Sequence, residues 1–188
     1  MRIRTLALVG MLALSATGCI PVASLYPLVP PDEGVAVPEI VGEWGDSTAT
    51  FRFHVSDLES RTRYGMTYQD ATDSTTTFTV RFERFGGRLF ADLVLDAESM
   101  AEGDRSPFLW PMHAIFRVDI AGDSLRMAFL DDDWLEEAIE KHEVKLHHET
   151  PAGDLVITEK TAGLQAMVRK LANVDAAFDE HAMYLHRR

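Results

Sequence analysis

Along most of the chain apolar and polar residues alternate with a period of two, the pattern of a strand that buries one face. Phe51, Phe53 and Val55 alternate with Arg52 and His54, and Phe78, Val80 and Phe82 with Thr79, Arg81 and Glu83. The same period recurs at Leu89, Ala91, Leu93 and Leu95, at Ala114, Phe116, Val118 and Ile120, and at Leu125, Met127 and Phe129. Residues 63–69 and 155–158 predict further strands, and residues 145–149 a weaker one. Gly86-Gly87 and Ala121-Gly122-Asp123-Ser124 separate neighbouring runs with turn chemistry. Each flanking pair should therefore be an antiparallel hairpin, and the whole a meander.

Two stretches read as helices. The first follows Asp131-Asp132-Asp133, with Asp133 and Glu136 at capping-box spacing ahead of Trp134, Leu135, Ala138 and Ile139. The second opens at Thr161, a natural N-cap, and places Leu164, Met167, Val168 and Leu171 at i, i+3, i+4 and i+7. That single apolar face should pack on the sheet. Residues 175–186 read as a short helix and a loose tail.

The start of the chain departs from this pattern. Arg2 and Arg4 precede the uncharged run Leu6-Ala7-Leu8-Val9-Gly10-Met11-Leu12-Ala13-Leu14, too short to span a bilayer and placed like the h-region of an export signal. Residues 1–18 are expected to be removed as a lipoprotein signal peptide. Ser15-Ala16-Thr17-Gly18-Cys19 resembles the lipobox of bacterial lipoproteins, although Ala16 stands where a larger aliphatic residue is commoner. By that resemblance Cys19 is lipidated and holds the protein on a membrane. Cys19 is also the only cysteine, so no internal disulfide can form, and an odd thiol in an exported chain calls for such an explanation. Each buried acyl methylene contributes about 0.8 kcal/mol, so several acyl chains anchor almost permanently. Residue Ile20 is not an aspartate, which by resemblance to the Gram-negative sorting rule points to the periplasmic face of the outer membrane. Residues 19–38 hold five prolines, at 21, 27, 30, 31 and 38, and read as a tether that lifts the domain off the membrane. Residues 39–188 form the domain, with enough chain for one sizeable core.

Charge narrows the partners. The full chain carries 18 basic and 30 acidic residues, a net −12; without Arg2 and Arg4 the balance is 16 to 30, or −14. Nucleic acid and anionic lipid surfaces both need clustered Lys and Arg, so neither is expected as a partner.

Several stretches resemble a group of small, functionally uncharacterised bacterial lipoproteins with a lipocalin-like β-barrel. They are Leu25-Tyr26-Pro27-Leu28, Val41-Gly42-Glu43-Trp44, residues 84–93, residues 113–118 and Leu130-Asp131-Asp132-Asp133-Trp134-Leu135, together spanning most of the mature chain. Gly42-Glu43-Trp44 also looks like the G-x-W of lipocalins, whose tryptophan closes the barrel bottom. The chain lacks the disulfides of lipocalins proper. The resemblance implies a fold and a cell-envelope location; ligand binding follows only by analogy of fold.

Other constellations are weighed against plainer explanations. Gly122-Asp123-Ser124-Leu125 spells the serine block of one esterase group. It lies between two alternating strands late in the chain, without the D-x-x-H partner, and reads as a hairpin turn. His142, His147 and His148 lie among Glu140, Glu143 and Glu149, but adjacent strand residues point to opposite faces, a poor zinc geometry. His113 is expected to be a satisfied polar residue, and His181 and His186 to sit in the tail. The three aspartates before Trp134 lack the alternating ligands and glycine of a calcium loop, and helix capping explains them. No metal, cofactor or catalytic residue is expected, and the chain reads as a non-enzyme.

The expected fold is thus mainly β: an antiparallel lipocalin-like barrel or half-barrel of about eight strands with two short helices. Trp44, Phe51, Phe53, Tyr68, Phe82, Phe90, Phe116 and Phe129 are the candidate pocket lining. Two functions remain open: a binding module for a hydrophobic or amphipathic small molecule, or a structural or interaction lipoprotein with a filled barrel and an envelope protein as partner.

Overall fold

Two-residue turns convert the alternating runs into hairpins, and the hairpins close on themselves. The computed structural model describes residues 22–96, 112–179 and 182–188; the leader, the lipobox, Cys19 and His181 lie outside them. The strands are β1 (Ala23–Ser24), β2 (Gly42–Gly45), β3 (Ala49–Val55), β4 (Arg63–Asp70), β5 (Thr75–Phe85), β6 (Arg88–Leu95), β7 (His113–Ala121), β8 (Ser124–Phe129), β9 (His148–Glu149), β10 (Val156–Ile157) and β11 (Ala182–Arg187). Helix α1 covers Asp132–Glu140 and α2 covers Thr161–Leu171. Gly86 and Gly87 both adopt left-handed φ, 58° and 82°, in the turn closed by the pair Phe85 and Arg88. That conformation matches strand twist, and glycine reaches it without steric cost.

Strands β2 to β8 form an antiparallel meander, and β6 pairs with β7. β11 closes the ring: Met183 and Leu185 pair with Met127 and Leu125 of β8, and Arg187 pairs with Trp44 of β2. The barrel is therefore closed, with eight strands, and the expectation of a loose C-terminal tail is corrected. Met183 and Leu185 do alternate with Tyr184 and His186, but two apolar residues are a faint signal. The unpaired edges of β2 and β8 supply the missing drive, since closure satisfies two rows of backbone groups at once. β1, β10 and β9 add a small annex beside the start of β7.

Alternation divides the apolar residues between two cores. Inward side chains, among them Trp44, Phe53, Met66, Val80, Phe82, Ala91, Phe116, Met127 and Leu185, fill the barrel. Outward side chains Phe85, Phe90, Ile115, Ala128 and Leu130 form a second core under the helices. There Leu164, Met167, Val168 and Leu171 of α2 and Leu135 and Ala138 of α1 cover the wall. β6 and β7 are thus buried on both faces at mid-strand, while outward Arg52 and His54 of β3 stay exposed.

The proline-rich stretch is also corrected: over residues 22–38 it packs on the barrel as part of the domain. Val22, Leu28, Val29 and Val37 are at most 3% exposed. Proline prevents a regular ladder, but backbone groups can pair elsewhere. The Val29 amide donates to Asp92 Oδ2 at 2.9 Å and the Val37 amide to Tyr64 Oη at 2.7 Å. Thr161 Oγ1 donates to the Pro27 carbonyl and Gln165 Nε2 to that of Leu28. Thr161 is therefore engaged with Pro27 rather than capping α2, whose N-cap is Lys160. In α1 the cap is Asp131, two residues earlier than the capping-box spacing suggests; its Oδ1 accepts from the Trp134 amide at 2.6 Å.

Candidate functional site

Seven of the eight expected pocket residues point into the barrel, and they pack against one another. Trp44, Phe51, Phe53, Phe82 and Phe116 are 0–6% exposed, while Tyr68 and Phe129 are half-buried. Ring centroids lie 5.2 Å apart for Phe51 and Tyr68, 5.2 Å for Tyr64 and Phe82, and 4.2 Å for Phe116 and Phe129. These are contact distances for paired rings. Phe90 is corrected: it belongs to the outer core, 5.6 Å from Phe178 and 5.9 Å from Phe85. Its parity opposes that of Leu89, Ala91 and Leu93, so a ring there cannot face the interior.

The barrel bottom is built from the chain that precedes β2. Pro38–Ile40 form one turn of 3-10 helix, and Trp44 Nε1 donates to the Ile40 carbonyl at 2.7 Å. The Arg187 guanidinium lies 4.2 Å above the indole ring and donates to the carbonyls of Val41 and Glu39. This cation–π contact and the two hydrogen bonds tie the C-terminal strand over the tryptophan.

A cleft of about 550 Å3 lies over the same end, lined by Val37, Leu89 and Val118 from the interior and by a charged rim. Arg88 faces Asp119 at 3.8 Å and donates to Asn173, while Arg187 faces Asp123 at 3.6 Å. Opposite charges at such exposed distances largely compensate each other and bind little else strongly.

A polar line on the outer wall escaped sequence reasoning. Asp92 is 4% exposed on β6; its Oδ1 lies 2.6 Å from His113 Nδ1 while Oδ2 receives the Val29 amide. Arg81 stands opposite Asp92 in the β5–β6 register, and burial pulls its guanidinium below the ordinary arginine value against the pull of Asp92. A buried carboxylate needs such partners to offset its desolvation. The available signal was one acid inside the apolar run of β6. Arg117, 3% exposed, is a second case: it sits 5.0 Å from the Phe178 ring, with Asp175 at 3.1 Å and Asp179 at 3.3 Å. Both networks hold chain segments against the wall.

The remaining chemical candidates disperse. Ser124 opens β8 in the hairpin, paired with Ala121. His186 lies opposite it on β11, and among the described residues no hydrogen bond joins them. His147, mostly exposed, meets Glu159 at 2.8 Å, whereas His148 Nδ1 is 3.2 Å from the Leu146 carbonyl. Backbone hydrogen bonding from His147 holds the Glu159 carboxyl below its ordinary value. Among the described residues no three His, Cys, Asp or Glu side chains gather as a metal site.

Compared with known protein families, curated proteins and solved structures, the chain has no significant match.

Proposed function

We propose that this protein is an exported lipoprotein, anchored in the cell envelope through Cys19, whose barrel is a filled scaffold that works through its outer surface on an envelope protein partner. The observation that supports the surface reading is the mutual burial of the interior aromatics, with Trp44 at 0%, Phe82 at 1% and Phe53 at 2% exposure. A ligand carrier needs a concave apolar space of at least about 300 Å3 bounded by such side chains. Here rings occupy that space, and the 550 Å3 cleft is rimmed by charges instead.

A second reading, a binding module for an apolar small molecule, draws on Tyr68, Phe78 and Phe129, half-buried interior aromatics. Native mass spectrometry of the full lipoprotein from its own host, followed by organic extraction, separates the two. The surface reading expects the mass of the acylated chain alone. A stoichiometric lipid or apolar metabolite, lost on Tyr68→Asp, would overturn it in favour of the binding module.

A further inference from the structure

We infer that the folded domain lies directly on the bilayer, with the patch around Val22 and Met112 against the lipid headgroups; this rests on the anchoring of Cys19 proposed above. Val22 is 3% exposed, and the next residues are fixed. Ala23 pairs with both Ala114 and Val156, and the Leu25 amide donates to the Ile157 carbonyl at 2.9 Å. Only three peptide units then separate Cys19 from the folded body. At 3.8 Å between successive Cα atoms they reach at most about 11 Å. The headgroup layer on one side of a bilayer is itself roughly 5–8 Å thick. A cysteine whose acyl chains are in the membrane therefore leaves Val22 no more than a few ångströms above the headgroups. The prolines cannot relieve this, because residues 22–37 are spent on packing rather than reach.

The patch suits a lipid surface more than a charged partner. A cleft of about 360 Å3 opens beside Val22, lined by Ala23, Met112, Pro151, Asp154 and Leu155, with no Lys or Arg among its described lining residues. Met112 and Tyr26 close by are 37% and 41% exposed. Asp132 and Asp154 oppose attraction to anionic lipid, so the short leash and apolar contacts hold the face down, on neutral phosphatidylcholine as well. The Gly122-Asp123 turn begins eight residues beyond Ala114 along β7, roughly 26 Å at strand rise.

The test uses the full acylated chain in phosphatidylcholine vesicles containing headgroup spin-labelled lipid, with a fluorophore on Asp154→Cys or on Asp123→Cys. Quenching is expected to be several-fold stronger at position 154. Inserting about 12 Gly and Ser residues after Ile20, roughly 20 Å of added root-mean-square reach, should abolish the difference. Equal quenching at the two positions, or a difference untouched by the insertion, would overturn the docking. The mass of the N-terminal peptide keeps the failures apart: an unacylated Cys19 refutes the anchor and the docking together, whereas an acylated chain with equal quenching refutes the docking alone.

Discussion

Replacing Phe53 by alanine asks whether the barrel is filled or hollow. Phe53 sits mid-strand on β3, opposite Gly42 on β2 and Met66 on β4, and is 2% exposed. In a close-packed interior Phe→Ala costs about 3–5 kcal/mol, because the transfer energy of the ring is lost and the surrounding side chains collapse only partly into the space. A ring that bordered a hydrated or ligand-ready cavity would already be partly solvated, and its truncation would cost about 1 kcal/mol or less, since only a fraction of the roughly 1.5–3 kcal/mol of full burial is at stake. With a urea m-value of about 2 kcal/mol/M, the filled barrel predicts a midpoint lower by roughly 1.5–2.5 M. Total stabilities run to about 5–15 kcal/mol, so the variant should remain folded without denaturant. Half-buried Tyr68, changed to alanine, should lose distinctly less. A Phe53→Ala shift below about 0.5 M at an unchanged m-value would refute the filled interior and restore the ligand reading.

Asp92→Ala should cost about 3–5 kcal/mol by stripping a buried carboxylate from His113 and the Val29 amide, and amide exchange at Val29 should accelerate well beyond that of mid-barrel amides. Deleting residues 182–188 reopens the barrel between β2 and β8 and should yield an aggregating chain without a cooperative urea transition; a soluble, cooperatively folding product would contradict β11 as the closing strand. Hydrogen bonds from Thr48, Ser60 and Thr72 hold the carboxyls of Asp46, Asp57 and Asp70 below the ordinary aspartate value. Since those folded values are depressed, their contribution is present above the unfolded value of about 3.9 and is lost as pH falls through the folded ones. Amide exchange at Thr48, Glu59 and Thr72 should therefore rise below pH ~4 relative to that of β6 amides, after correction for intrinsic rates, and Asp70→Asn should show the loosened turn already at neutral pH.

Period-two alternation was sufficient to place five strands, β3 and β5 to β8, and to say which side chains share a face, because the strand geometry that sets it is local. The two glycine turns specified hairpins for the same reason. Ring closure by β11 was not legible: its two inward residues gain their meaning from the free edges of β2 and β8, which meet only once the other seven strands have curled. The prolines of residues 27–38 correctly announced an irregular backbone, but not where it lies. Asp92, Tyr64, Thr161 and Gln165, at 27 to 137 residues' remove, satisfy its amides and carbonyls and turn an expected spacer into part of the core. Phe90 shows the same division within one strand. Its alternation assigned it a face, while the choice between a solvated wall and a second core was made by α2 and Phe178, whose burial of that face no local pattern encodes.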